Sequence, residues 1–192
     1  MMIRTHSMLY QQGINILACF KEYPKAIPAV QRGAEMHRVA IVSILNEIWR
    51  TYQEDEDYHF GRMVLSKRSD KEFAILDSLQ RQLVVLIFTL ELLRAVKPTP
   101  DVREYTNIAL QVCSQFVMIR GGEGIGLFIR GKPTKKAMLR WPRFKAMYST
   151  IQQYVKKMQA HLESPEGIKF VEYFLRRCHF DALVIEPKAS SV

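Results

Sequence analysis

Apolar residues recur at spacings of three and four along most of the chain, which predicts amphipathic helices almost throughout. The first helix is predicted from Ser7 to Glu22, and it ends at Tyr23-Pro24 because the residue before a proline avoids the helical region. Further helices are predicted over about 28–53, from a cap at Ser69 to a break at Lys97, over 101–120 and 142–162, and after Ser164-Pro165. A loop is predicted over 53–69. A short extended stretch is predicted only at 180–185, and residues 187–192 are predicted to be a frayed tail.

The third predicted helix has the strongest pattern. Ser69 and Glu72 form a capping-box pair at its start. Its leucines alternate spacings of three and four: Leu76, Leu79, Leu83, Leu86, Leu90 and Leu93. Further apolar residues widen this stripe, so the helix needs neighbours on several sides. It is expected either at the centre of a bundle or with one face at a subunit interface.

The fold class predicted from these elements is all-α. The connections flanking the first, third and fourth helices are short, which favours antiparallel neighbours and an up-down-up-down four-helix bundle over residues 1–130. Thr99 is predicted to cap the fourth helix, with Pro100 at its first position. Residues 131–192 are predicted to form a basic hinge and a C-terminal extension of about two helices.

Composition places the chain among globular proteins. It has 192 residues, of which 48% are hydrophobic and 24% charged. The three cysteines, Cys19, Cys113 and Cys178, are odd in number and widely spaced, which is typical of free thiols in a reducing compartment. No signal peptide is predicted. The longest apolar run, 83–93, is shorter than a membrane span, which needs about 20 residues. A cytoplasmic location is therefore expected.

Positive charge is concentrated in one segment. Residues 119–160 hold 10 basic side chains and one acidic side chain, that of Glu123. The net charge of this segment is therefore +9, which equals the net charge of the whole chain. Aromatic residues interleave with these cations: Phe128, Trp141, Phe144, Tyr148 and Tyr154. Cations that neutralise phosphates beside rings that stack on bases are typical of single-stranded nucleic-acid binding. The predicted phosphate contacts are Arg120, Arg130, Lys132, Lys135, Lys136, Arg140, Arg143 and Lys145, and Trp141 is the predicted stacking residue. A solvated linker with an exposed basic face is the simpler alternative.

Other motifs do not predict chemistry. Gly126 to Lys132 matches part of a phosphate-binding loop, but Pro133 replaces the hydroxyl residue that would hold magnesium. The five histidines do not have the spacing of zinc ligands, and no catalytic residues, metal or cofactor are predicted. The acidic run 54–57 reads as a solvated loop, or alternatively as a site that repels or mimics nucleic acid.

The helix order and the ending Met118-Ile119-Arg120-Gly121-Gly122 resemble the four-helix-bundle accessory variability proteins of diversity-generating retroelements, which are related to ribosomal intervening-sequence proteins. The likeness covers roughly residues 8–130. It implies a cytoplasmic, non-enzymatic pentamer that binds nucleic acid and associates with a reverse transcriptase during copying of template RNA into cDNA.

Three functional hypotheses follow. The first is a homo-oligomeric nucleic-acid-binding accessory protein that acts beside a reverse transcriptase on RNA or DNA. The second is a protein–protein interaction module whose basic segment docks an acidic partner. The third is a small enzyme, such as a nuclease, whose acid–base groups meet only in the folded chain.

Overall fold

The computed structural model describes residues 6–23, 26–28, 36–70, 72–115 and 142–187. Within these ranges a mixed sheet packs against helices in an α/β fold. The prediction of an all-α four-helix bundle is therefore wrong.

The described residues form five strands and seven helices. The strands are β1 (His6–Asn15), β2 (Ala26–Pro28), β3 (Tyr58–Ser69), β4 (Glu72–Asp77) and β5 (Cys178–Pro187). The helices are α1 (Ile16–Glu22), α2 (Arg38–Gln53), α3 (Leu79–Ala95), α4 (Pro100–Gln115), α5 (Pro142–Lys157), α6 (Gln159–Glu163) and α7 (Gly167–Arg177).

The strand order is β1-β5-β3-β4-β2. β5 runs antiparallel to β1 and parallel to β3, while β4 runs antiparallel to β3 and parallel to β2. Residues 142–187 therefore supply an inner strand and three helices to the same sheet and core as the first half, rather than packing beside a finished bundle.

The first predicted helix is half strand. Pairing with β5 keeps His6–Asn15 extended, and Gly13 adopts a φ of +66° while its N–H donates to Asp181 Oδ1 at 2.9 Å. The helix begins only at Ile16, because Asn15 Oδ1 accepts the Ala18 N–H at 2.8 Å and caps it.

The loop predicted over 53–69 and the cap predicted at Ser69 are also corrected. Residues 58–69 form β3, where Phe60, Met63 and Leu65 are buried. Ser69 pairs with Glu72 at the β3–β4 turn instead of starting a helix. The helix starts ten residues later at Leu79, after Ser78 takes a left-handed φ of +83°.

The leucine-rich helix α3 is the centre of the fold. Each residue from Leu83 to Leu90 is at most 2% exposed. Helices α4, α5, α6 and α7 contact α3, and its Val85 and Leu86 also reach Met63 and Leu65 of the sheet. Its apolar surface is thus covered within one chain, so no face of this stretch is left for a subunit interface.

The fourth predicted helix agrees with the structure where it is described. Its cap is confirmed, because the Val102 N–H donates to Thr99 Oγ1 at 3.2 Å and Pro100 is the first helical residue. The extended stretch predicted at 180–185 is likewise confirmed as part of β5.

Candidate nucleic-acid interface

Most of the predicted phosphate contacts lie outside the described residues: Arg120, Arg130, Lys132, Lys135, Lys136 and Arg140, together with Trp141. The backbone of Arg143 lies in the first turn of α5, and Lys145, two residues later, is exposed. Of the basic segment 119–160, the structure therefore describes only residues 142–160, which lie mainly in α5.

Helix α5 has one buried and one charged face. Met147, Ile151 and Val155 are buried, as their spacing predicts. Lys145 and Lys156 are separated by 11 residues, which places them on one stripe of the helix about 16 Å apart. Both side chains are exposed, and neither is paired with a carboxylate in the described part of the chain.

Tyr148 fixes α5 on the central helix. Its hydroxyl donates to Glu91 Oε1 at 2.8 Å, and Arg94 Nη1 donates to the same carboxylate at 3.1 Å. Burial, together with the hydrogen bond to Glu91, raises the pKa of Tyr148 to about 12. The hydroxyl therefore stays protonated and holds α5 against α3, while Lys145 and Lys156 are exposed to solvent.

A cleft of about 560 Å³ separates α2 from α5 and α6. One stripe of α2 faces it, and a second stripe comes from α5 and the start of α6. The lining residues are Arg38, Val42, Asn46, Trp49, Thr150, Gln153, Tyr154, Lys157, Met158, Ala160 and His161. This volume lies within the range of small-molecule and cofactor sites.

Aromatic rings and amides shape the cleft. The Tyr154 hydroxyl donates to Asn46 Oδ1 at 2.8 Å, which ties the two helices together. Trp49 packs edge-on against His161, with ring centroids 5.1 Å apart, and against Phe170 at 5.3 Å. His161 Nε2 is buried and makes no hydrogen bond within the described part of the structure. The site thus combines rings fixed by packing with a polar atom that has no partner there.

The cleft is positively charged. Arg38 and Lys157 line it, and no carboxylate belongs to its described lining. Many other cations are neutralised in place: Arg50 by Glu47 and Glu54, Lys169 by Glu166, and Arg176 by Glu172. In the described part of the chain, neither cation of the cleft is paired with a carboxylate, so both can meet an external anion.

The acidic run 54–57 has a structural role at its two aspartates. Arg177 Nε donates to Asp57 Oδ1 at 2.7 Å, and its Nη1 pairs with the Asp55 carboxylate. His179 Nε2 lies 3.0 Å from Asp57 Oδ2. The hydrogen bond from Arg177, and then that from His179, hold the pKa of Asp57 below its ordinary value. Residues 54–57 are exposed, as predicted for a solvated run, and these contacts also fasten the end of α2 to α7 and β5.

Within the described residues this cluster does not gather the ligands of a metal ion. Its carboxylates are outside the cleft, and in the described ranges no group of three or more His, Cys, Asp and Glu side chains is placed to hold a metal ion. Burial raises the pKa of the Cys178 thiol, so the thiol stays protonated.

Sequence reasoning found only part of the cleft. Tyr154 and Lys157 belong to the segment singled out by charge, but Arg38 and Asn46 did not stand out. Their signal is the spacing of Arg38, Val42, Asn46 and Trp49, which forms a polar-edged stripe beside the buried stripe of α2. Only the packing of α5 beside this stripe turns it into a site.

No described helix is long and apolar enough to cross a bilayer. No protein-family model matches the chain, and no curated protein matches it significantly in sequence.

Proposed function

We propose that this protein binds unpaired nucleic acid and that the cleft between α2 and α5–α6 holds one nucleotide of the strand. The observation that carries the proposal is the cleft's lining, in which two cations, fixed rings and amide side chains surround about 560 Å³ without a described carboxylate. A nucleotide has the matching chemistry, since it joins an anionic phosphate to a flat base with polar edges.

Each part of the lining has a role in this proposal. Arg38 and Lys157 bind phosphate oxygens, Arg38 by a planar fork and Lys157 as a point charge. The exposed parts of Trp49 and Tyr154 contact the base. Asn46 and Gln153 offer amide groups to the base edge, where single-stranded recognition takes place.

The cleft also continues the basic segment. Lys157 belongs to residues 119–160, and Lys145 and Lys156 extend the charge along the solvent side of α5. The cations predicted between Arg120 and Arg143 stay predictions, and we expect them to contact phosphates on either side of the bound nucleotide.

Association with a reverse transcriptase was predicted only from the resemblance to four-helix-bundle proteins, and the structure is an α/β fold instead of that bundle. That partner stays a prediction, and the proposal does not require it. Docking of an acidic protein would use the same cations but would leave the rings and amides of the cleft without a role.

Titration of the full chain with single-stranded DNA and RNA oligonucleotides over a salt series tests the proposal. Binding to about six phosphates gives a slope of log K against log salt near −4, since each phosphate on a single strand contributes about −0.7. Arg38→Gln and Lys157→Gln should each weaken binding and make the slope about 0.7 shallower. Arg103→Gln, an exposed arginine of α4 outside the cleft, is the matched control and should leave both unchanged.

Fluorescence locates the bound base. The chain has two tryptophans, so Trp141→Phe leaves Trp49 as its only tryptophan, and the tryptophan emission should be quenched by the oligonucleotides. Polyglutamate at the same charge concentration should compete weakly. A flat salt slope, cleft variants that bind like the control, or equal competition by polyglutamate would each overturn the proposal.

A further inference from the structure

The sheet ends in two very different edges. β2 spans only Ala26–Pro28, so that edge is short and carries a proline, which blunts strand pairing. β1 spans His6–Asn15, and within the described residues it pairs only with β5. One side of this long strand therefore offers backbone N–H and C=O groups without a described partner.

β1 lacks charge and proline, two of the features that protect an edge strand, and its bulge lies only after Gln11. Residues 7–15 contain no charged side chain and no proline in a chain with a net charge of +9. Met8, Leu9 and Tyr10 are 69%, 58% and 50% exposed. A neutral, apolar edge of this length pairs readily with another strand.

The surroundings leave room for such a strand. Leu9 lies opposite Val184, which is buried beneath the helices, yet Leu9 itself is mostly exposed. The described helices α1 and α7 thus contact β1 and bury its Ile14, but they leave Leu9 exposed. Met8 and Tyr10 lie on the opposite face, in register with Ile185 and Leu183, and Arg62 stacks over the Tyr10 ring at 5.9 Å.

We infer that β1 is a self-association edge whose occupant is β1 of a second copy of this chain. The sequence of the strand favours a copy, because a two-fold axis at Leu9 aligns the apolar trio with itself. Leu9 then faces Leu9 of the other copy, and each Met8 faces a Tyr10. Directly opposed side chains in antiparallel strands have Cβ atoms about 5 Å apart, close enough for these pairs to pack.

Neutrality is the second argument for a copy. Two identical chains repel each other overall, so a self-pairing surface needs a stretch without charge, and β1 provides it. The pairing joins two five-stranded sheets into one and closes the association at two copies. A mass measurement therefore also tests the pentamer implied by the bundle resemblance.

Sedimentation equilibrium of the full chain tests the inference. The wild type should be a dimer. Leu9→Lys and Leu9→Glu should each weaken self-association about 100-fold, because each places two like charges opposite one another at the axis. Mixing the two variants should restore a dimer, since the lysine of one copy then meets the glutamate of the other.

Leu76→Lys is the matched control, because Leu76 is a 48% exposed leucine on β4 away from this edge, and it should leave the dimer intact. Circular dichroism confirms that each variant is folded. A monomeric wild type, a dimer that persists in Leu9→Lys, or a mixture that stays monomeric would each overturn the inference. The outcome is separate from that for nucleic-acid binding, since the monomeric Leu9→Lys variant keeps the cleft intact and can be titrated with the same oligonucleotides.

Discussion

Gly167 sits at a joint where replacing it with alanine has opposite effects locally and in the packed fold. As the first residue of α7, it would gain up to about 1 kcal/mol from the better helix propensity of alanine. In the structure, however, an added Cβ would lie 2.0 Å from the Leu162 carbonyl oxygen and 2.6 Å from its carbon. Ordinary contact begins at 3.4 Å, so the α6–α7 joint must widen by about 1.4 Å.

The atoms in the way belong to the backbone and cannot rotate aside. Overpacking of this kind costs about 1–3 kcal/mol, so we expect Gly167→Ala to lower the free energy of unfolding by about 1–2 kcal/mol. For a chain of this size the loss corresponds to a Tm lower by about 2–8 °C. Because His161 of α6 lines the cleft, widening the α6–α7 joint should also displace this part of the cleft lining.

Differential scanning calorimetry and urea titration measure both quantities. Gln152→Ala, at an exposed position of α5, is the control and should change stability by less than about 0.5 kcal/mol. A Gly167→Ala variant as stable as the wild type, or more stable, would show that helix propensity outweighs the contact at Leu162 and would refute the reasoning.

Two further predictions concern the contacts that hold residues 51–57 in place. The Tyr173 hydroxyl lies 2.6 Å from Thr51 Oγ1 and donates to the Glu56 carbonyl at 2.7 Å. Tyr173→Phe removes both contacts and should lower the free energy of unfolding, measured by urea titration, by about 1–2 kcal/mol. A variant as stable as the wild type would contradict this role. Asp57 has a lowered pKa because Arg177 donates to it, so its charge stabilises the fold above the unfolded pKa, and this contribution disappears as pH falls through the folded pKa. Asp57→Asn should therefore be less stable than the wild type at neutral pH, and the difference should shrink as the pH falls below the ordinary pKa of an aspartate; a difference independent of pH would contradict the assignment.

Helical pattern alone could not reveal the strands. Leu9 of β1 fits one helix face together with Ile16, Leu17 and Phe20 of α1, and no local signal outweighs that fit. The decisive contacts are with β5, whose residues lie about 170 positions later in the chain. β3 was hidden for a related reason, because a bulge at Gly61, with a φ of +93°, interrupts its alternation.

Some of the molecule follows from the sequence by itself. The buried faces of α2, α3 and α5, the cap at Thr99 and the concentration of charge in residues 119–160 depend on helical spacing, local hydrogen bonds or composition, all of which act over a few residues. The tertiary structure decided the sheet, the cleft and the role of the acidic run. Each of these depends on residues distant in the chain, such as Asp57 with Arg177 or Asn46 with Tyr154, and their pairing is selected by packing of the whole chain rather than by any local preference.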